Sequence, residues 1–296
     1  MIDILIEKIK EKKNPTVAGL DPKLDYVPSY ILDKYPSTFE GAANAILEFN
    51  KGLIDNLCDI VAAVKPQSAY YEMYGWNGVK ALEETIAYAK EKGMYVITDG
   101  KRNDIGTTAE AYSTAYLGET KLIDSEAAAF NSDGLTVNGY LGTDGIKPFL
   151  KEDKSIFVLV KTSNPSSGEL QDKKLENGKT VYEEMANNVN LWGEQYIGKY
   201  GYSNVGAVVG ATYPEQITEL RKVMPKAYFL VPGYGAQGGT AKDVARAFNN
   251  DGLGAIINAS RSIMCAYKKA QSDEKDYALA AREEAINMRD SIMAEI

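Results

Sequence analysis

Eight short apolar segments recur along the chain, and each is followed by polar or glycine residues and then by a helical pattern. The segments are residues 16–21, 60–67, 95–101, 134–138, 156–162, 205–211, 228–233 and 254–260. Their apolar residues are continuous rather than alternating, which is typical of parallel strands that are buried on both faces. One helical pattern covers residues 79–92 and ends at Gly93. The sequence therefore predicts an α/β protein of eight strand and helix units, a (β/α)8 TIM barrel.

The chain length is consistent with one such barrel. The chain has 296 residues, and single barrels commonly contain about 250. No composition shift, repeat or low-complexity segment marks a second domain, so we expect residues 1–296 to form a single domain. An amphipathic pattern over residues 1–13 predicts an N-terminal helix. Two long connections, residues 22–40 after the first strand and 163–179 after the fifth, are candidate lids or subunit contacts.

Histidine is absent from the sequence, which excludes several kinds of catalytic site. Ser-His-Asp and Cys-His nucleophiles, histidine-ligated zinc and imidazole proton shuttles all require it. Any proton transfer must therefore use Lys, Asp, Glu or Tyr. The 33 basic and 41 acidic residues give a net charge of −8, which leaves no broad basic surface for nucleic acid or for an anionic membrane.

The two cysteines, Cys58 and Cys265, lie far apart and lack Cys-x-x-Cys spacing. Each lies in an apolar segment, so we expect small buried side chains rather than a disulfide or a thiolate metal site. No apolar run approaches the ~18 residues of a membrane span, and charges interrupt the N-terminal pattern where a signal peptide has an apolar core. We therefore expect a cytoplasmic protein.

Polar residues follow most of the predicted strands. Barrel enzymes place their catalytic groups at the C-terminal ends of the strands and on the loops that follow them. A single charge at a strand end is often only a solvated loop residue, but seven polar residues converge on the same rim. These are Asp21, Lys65, Asp99, Lys101, Asn138, Lys161 and Arg261.

The densest polar cluster covers residues 96–108. Strand periodicity directs Asp99 and Lys101 to the same face, while Asp104 lies past the strand end and can point inward or toward a neighbouring subunit. A lysine between carboxylates keeps its positive charge. This arrangement favours a positioned cation and proton donor over a Schiff-base nucleophile, which must be neutral. The alternative is a structural network of ion pairs.

Glycines at positions 233, 235, 238 and 239 follow the seventh strand, and Arg261 follows the eighth. Glycine lets main-chain N–H groups approach an anion closely, and the loops after strands 7 and 8 of such barrels commonly bind phosphate. Arg261 would add a bidentate cation at the start of a helix. The pair predicts a phosphate site.

The pattern Asp99-x-Lys101-x-x-Asp104-Ile105-Gly106-x-Thr108 after an apolar strand resembles the signature of the orotidine 5′-phosphate decarboxylase family. The resemblance also covers five other short motifs and is closest to the longer bacterial branch of that family. These motifs are VAGLDPK (17–23), AVKPQ (63–67), KTSNPSS (161–167), PGYGAQGG (232–239) and NASRSI (258–263).

The resemblance implies a cofactor-independent loss of CO₂ from orotidine 5′-monophosphate, giving UMP, with no bound metal. Lys101 would protonate C6 of the pyrimidine and Asp99 would lie beside the substrate carboxylate. Asp104 and Thr108 would reach across a homodimer interface, so that each site needs two chains.

The resemblance also implies the residues that bind the rest of the substrate. Lys65 would join the chain of lysines and aspartates and bind the ribose hydroxyls together with Asp21. The pyrimidine edge would be read by Ser163 with Thr162, and the 5′-phosphate would be held by Gly233, Gly235, Gln237 and Arg261. The resemblance gives no role to Lys161, which we interpret as a charge on the rim.

Two other functions fit parts of the pattern. A metal-dependent sugar-phosphate decarboxylase or aldolase on a related barrel would use the rim carboxylates to bind Mg²⁺, and EDTA would inactivate it. A non-catalytic nucleotide or phosphosugar binding protein would need Arg261 and the glycine loop but not the line of Asp99, Lys101 and Asp104.

Overall fold

Eight parallel strands close into a barrel in the computed structural model, which describes residues 1–235, 238–270 and 273–296. Each strand pairs with the next along the chain, and β8 pairs with β1. The prediction of a TIM barrel is confirmed, with the strand boundaries within about three residues of those expected. The strands are β1 (Thr16–Leu20), β2 (Ala63–Pro66), β3 (Tyr95–Arg102), β4 (Gly134–Val137), β5 (Ser155–Lys161), β6 (Ser203–Val209), β7 (Ala227–Pro232) and β8 (Ala255–Ala259).

The helices are less regular than the predicted repeat of eight. The pattern over residues 79–92 lies within a helix that begins earlier, at Gly75. Among the described residues, the connections after the fourth and seventh strands contain only short helices, such as Thr143–Ile146 and Ala241–Ala245. The helices are α1 (Ile2–Lys12), α2 (Ser29–Leu32), α3 (Phe39–Leu57), α4 (Ala69–Glu72), α5 (Gly75–Glu91), α6 (Gly106–Leu117), α7 (Thr143–Ile146), α8 (Val181–Gly193), α9 (Pro214–Val223), α10 (Ala241–Ala245), α11 (Arg261–Met264), α12 (Ala266–Ala270) and α13 (Tyr277–Met293).

The apolar core has two layers. The outer layer lies between the strands and the surrounding helices. The inner layer fills the barrel with side chains such as Tyr95 and Phe157, and helix α1 adds Ile2, Leu5 and Ile6 to this same cluster. Because α1 covers the N-terminal end of the barrel, the C-terminal end is the one left for a site.

Both long connections contain ordered structure. Residues 22–40 include a 3₁₀ helix at Leu24–Tyr26 and helix α2 before α3 begins. Residues 163–179 include a 3₁₀ helix at Pro165–Glu169, and the connection ends at Thr180, whose side chain caps α8 together with Glu183. A short antiparallel pair, Thr120–Lys121 with Glu126–Ala127, was absent from the predicted strands.

Cys58 and Cys265 are free but only half-buried, so the prediction that both are buried is wrong, although both pack against the outer core. In the part of the chain that the structure describes, every helix is too short or too polar to cross a bilayer.

Candidate active site

A cavity of about 770 Å³ opens at the C-terminal ends of the strands. It contains eight of the twelve residues to which the family resemblance gives a role in the site. Thr136 on β4 is one of several further polar side chains that line it. The eight are Asp21, Lys65, Asp99, Lys101, Thr162, Ser163, Gly233 and Arg261.

Two lysines hold the carboxylate of Asp99 from its two sides. The ammonium of Lys65 donates to Oδ2 at 2.9 Å, and the ammonium of Lys101 donates to Oδ1 at 2.7 Å. Lys65 is buried, whereas the side chain of Lys101 is 45% exposed toward the cavity. Asp21 extends the line on the other side of Lys65, with 3.7 Å between Asp21 Oδ1 and Lys65 Nζ. Negative and positive groups therefore alternate from Asp21 to Lys101.

This alternation fixes the charge states of the two buried members. Burial alone would make ionisation of Asp99 unfavourable, but the ammonium groups of Lys65 and Lys101 outweigh it and hold the pKa of Asp99 far below its ordinary value. Burial likewise opposes the charged form of Lys65, but the carboxylates of Asp21 and Asp99 raise its pKa. Both groups stay charged at neutral pH. Gln67 adds a further donor to Asp99 Oδ2, at 2.9 Å.

An irregularity in the sheet places Lys101. Thr98 pairs with Leu135, but Arg102 pairs with Val137, so Thr136 alone lies opposite the segment from Asp99 to Lys101. Lys101 adopts a left-handed conformation there, with φ of 45°, which is costly for a residue other than glycine. The Thr136 hydroxyl accepts the main-chain N–H of Lys101 at 2.9 Å and donates to Asp99 Oδ1 at 2.7 Å. One buried hydroxyl therefore bonds to both residues.

Two predicted site residues, Asp104 and Thr108, lie apart from the residues that line this cavity. The carboxylate of Asp104 accepts the main-chain N–H of Ile105, and Thr108 is exposed in the first turns of α6. The side chain of Asn138, which the sequence placed on the rim, instead caps the 3₁₀ helix at Gly139–Leu141 by accepting the N–H of Tyr140.

The expected phosphate site lies partly within the described residues. Gly233 lines the cavity with a φ of 100°, and Gly235 is exposed with a φ of 68°, both in the left-handed region that favours glycine. Arg261 lies at the start of α11 and lines the same cavity. Gln237 lies outside the described residues.

The interpretation of Lys161 as a solvated rim charge is wrong. Its side chain is 1% exposed, and its ammonium donates to Asp172 Oδ1 at 2.7 Å and to Ser167 Oγ at 3.1 Å. Both partners belong to the connection after β5. The side chain is buried because that connection folds back over the end of the strand.

Several polar side chains in or beside the cavity were not predicted from the sequence, among them Gln67, Thr136 and Gln171, which bond to predicted site residues. Gln67 follows Lys65 at the end of β2, and the polar Thr136 interrupts an apolar strand, so each had a weak signal in the sequence. Gln171 lines the cavity from the connection after β5 and had no such signal.

Comparisons with known proteins agree with this geometry. The model of the family described as orotidine 5′-phosphate decarboxylase / HUMPS matches residues 43–275. The orotidine 5′-phosphate decarboxylases of Caldicellulosiruptor bescii and Clostridium perfringens are each 43% identical to this chain, over 99% of the chain and 98% of the relative. The structure of Leishmania donovani OMP decarboxylase is 32% identical, with a TM-score of 0.74, and the match covers 97% of this chain and 98% of that one. The resemblance carried by the motif around Lys101 is thus confirmed, and the chain belongs to the orotidine 5′-phosphate decarboxylase / HUMPS family.

Proposed function

We propose that this protein decarboxylates orotidine 5′-monophosphate to UMP, the last step of de novo pyrimidine synthesis, without a metal or an organic cofactor. The observation that carries the proposal is the pair of lysines on Asp99 at the mouth of the barrel. Family membership supports the same activity. The cavity that contains this pair also contains Arg261, a suitable partner for a phosphate.

Lys101 is the proton donor in this mechanism. The bond between C6 and the carboxyl carbon breaks, the electron pair stays on C6, and CO₂ leaves. The ammonium of Lys101 then transfers a proton to C6, and solvent reprotonates the amine. Asp99 holds this ammonium at 2.7 Å and would lie beside the substrate carboxylate, so the donor stands close to the carbon that gains the electron pair.

One ammonium is too little for the whole rate enhancement. A cation about 4 Å from the developing charge contributes about 4 kcal/mol at an effective dielectric constant near 20, or roughly a thousandfold in rate. Enzymes generally lower barriers by about 8–23 kcal/mol. The rest must come from contacts with the phosphate and the ribose, which are spent on orienting and desolvating the reacting carboxylate.

Three groups of residues contact the ribose, the base and the phosphate of the substrate in the proposal. Lys65 and Asp21 lie at the inner end of the charged line and would bind the ribose hydroxyls. Ser163 and Thr162 would meet the pyrimidine edge. The phosphate would be held by Gly233, Gly235, Gln237 and Arg261, of which Gly233 and Arg261 line the cavity.

We also infer a homodimer in which each site uses both chains. Asp104 and Thr108 do not line the cavity of their own chain, as expected if they serve the partner's. Exposed apolar side chains flank Asp104: Ile105 is 55% exposed and Leu141 is 45% exposed. A Cβ built on Gly145 would lie 3.1 Å from the carbonyl oxygen of Asp104 and 3.2 Å from Leu141 Cβ, so Leu141 lies close to Asp104. Such side chains suit burial against a second copy.

The proposal also includes a single domain and a cytoplasmic location. We expect residues 1–296 to act as one barrel domain, since α1 and α13 both pack on the barrel or on its surrounding helices. We also expect the protein to work in the cytoplasm, where nucleotide synthesis takes place and where its two unpaired cysteines stay reduced.

The test is to add the purified protein to orotidine 5′-monophosphate in EDTA and to follow the ultraviolet absorbance of the pyrimidine. We expect complete conversion to UMP with release of one CO₂ per substrate. Activity that needs an added divalent metal would favour a metal-dependent sugar-phosphate enzyme. Tight binding of UMP without turnover would favour a non-catalytic binding protein. Either result would contradict the proposal.

A further inference from the structure

The connection after β5 is fastened to its strand by a buried ammonium. Lys161 ends β5, where the pairing with β6 shifts register. Its ammonium bonds to Ser167 and Asp172 of the connection and also lies 4.7 Å from the ring centre of Tyr213. A charge this deeply buried is stable only when it is paired, so the fold of the connection depends on these contacts.

The same connection carries Gln171, whose amide bonds twice to Thr162. Gln171 Oε1 accepts the main-chain N–H of Thr162 at 3.0 Å, and Gln171 Nε2 donates to Thr162 Oγ1 at 2.8 Å. A main-chain N–H can only donate, which sets the orientation of the amide. The hydroxyl of Thr162 in turn donates to Asn164 Oδ1 at 2.6 Å. The main-chain N–H and the hydroxyl of Thr162 are therefore both bonded to the connection after β5.

Ser163 is held from the other side by the end of β6. A Cβ built on Gly210 would lie 2.8 Å from the main-chain nitrogen of Ser163, so the two backbones are in close contact. Thr212 Oγ1 also donates to the carbonyl of Ser163 at 3.4 Å. With Gln171 fixing Thr162 and Gly210 packing on Ser163, the direction in which the Ser163 side chain enters the cavity is determined.

We propose that Gln171 is a positioning residue for recognition of the pyrimidine base, and that the Lys161–Asp172 pair anchors the connection that presents it. This inference rests on the proposed function, because it takes Thr162 and Ser163 as the base-reading segment. It predicts an effect on the base alone, because the phosphate and ribose groups of the site belong to other strands.

The test compares binding of UMP and of ribose 5-phosphate by titration calorimetry. For Gln171→Ala we expect UMP to bind at least about tenfold more weakly, while ribose 5-phosphate, which has no base, binds within about twofold of the unmodified protein. Asp172→Ala should show the same selective loss. Glu176→Ala is the matched control, since Glu176 is exposed on the same connection, and it should change neither affinity.

Two outcomes would overturn the inference: an unchanged affinity for UMP in Gln171→Ala, or an equal loss for both ligands. Lys161→Met removes the ammonium and tests the anchor, and Lys161→Arg restores a buried cation. If Lys161→Met fails to fold, Lys161→Arg decides the test. We then expect Lys161→Arg to bind UMP more tightly than Asp172→Ala does, with no change for ribose 5-phosphate. UMP binding as weak as that of Asp172→Ala would contradict the anchor. An unmodified protein that binds UMP but does not decarboxylate its substrate would contradict the proposed function and leave this inference standing.

Discussion

The hydroxyl oxygen of Thr136 lies 2.9 Å from the main-chain nitrogen of Lys101. That nitrogen belongs to a residue in the left-handed conformation, at a place where β3 and β4 lose their regular pairing. The side chain of Thr136 therefore replaces a strand-to-strand hydrogen bond that the irregularity removes. Through its second bond, to Asp99, it links the conformation of Lys101 to the carboxylate that holds the ammonium.

Replacing Thr136 with valine tests this link, because valine has nearly the same shape but no hydroxyl. The N–H of Lys101 is partly buried, and a buried N–H left without a partner costs about 1–3 kcal/mol. About 1.4 kcal/mol corresponds to a tenfold change in rate. We expect Thr136→Val to lower kcat about tenfold or more while the affinity for UMP stays within about twofold. Thr136→Ser, which keeps the hydroxyl, should retain most of kcat. A general loss of packing would instead weaken UMP binding in both variants.

Replacing Lys101 with alanine tests the proton donor. We expect turnover of orotidine 5′-monophosphate to fall below detection. Among the described residues, Lys65 is the other ammonium bonded to Asp99, and it is buried. Binding of inorganic phosphate should stay largely intact, since Arg261 and the glycine loop are untouched. A variant that keeps even about a tenth of the unmodified kcat would remove Lys101 from the donor role.

The charged line also predicts how stability depends on pH. Burial opposes ionisation of Asp99, but Lys65 and Lys101 outweigh it and lower the pKa of Asp99 in the folded state. The carboxylate therefore stabilises the fold at pH values above the pKa of an aspartate in the unfolded chain, about 4. This contribution is lost as the pH falls through the lower pKa that Asp99 has in the folded state. Asp99→Asn should lose about 3 kcal/mol of unfolding free energy at neutral pH. Of the carboxylates that the structure describes beside the buried Lys65, the variant keeps the more distant Asp21.

Urea unfolding at a series of pH values between about 7 and 2.5 would measure this effect. The difference in unfolding free energy between the unmodified protein and Asp99→Asn should shrink as the pH falls below about 4. A difference that stays constant over that range would show that Asp99 acts through packing and not through its charge.

How much of this site could be predicted depends on whether a feature is local in sequence. Lys65, Asp99 and Lys101 directly follow or end continuous apolar strands, so their place at the barrel mouth follows from the pattern. The bonds of Thr136 could not be predicted, because they depend on the register between β3 and β4, which long-range pairing determines. Lys161 shows the same strand-end pattern as Lys65, and only the fold of residues 163–179 over it decides that it is buried.

Arg261 is expected to affect the rate as well as the affinity. If its contacts with the phosphate help to orient the reacting carboxylate, Arg261→Ala should lower kcat/KM for orotidine 5′-monophosphate by at least about a hundredfold, since each charged hydrogen bond contributes about 1.5–3 kcal/mol. Orotidine, which lacks the phosphate, is the matched control substrate. Its slow turnover should be the same in both proteins, and a comparable loss with orotidine would place Arg261 outside phosphate binding.

Sharing of sites between two chains can be tested by mixing two inactive proteins. Asp104→Asn and Lys101→Ala should each be inactive as homodimers, because every site then lacks one of its two contributions. In a mixed dimer, one site combines both altered residues, whereas the other combines an unmodified Lys101 with an unmodified Asp104 from the partner. Random exchange makes half of the dimers mixed, and each of these has one intact site, so we expect about a quarter of the unmodified activity per chain.

The proteins would be co-unfolded and refolded, and exchange would be verified with a mass tag on one of them. Full exchange without any recovery of activity would mean that Asp104 serves the site of its own chain, although it does not line the cavity there.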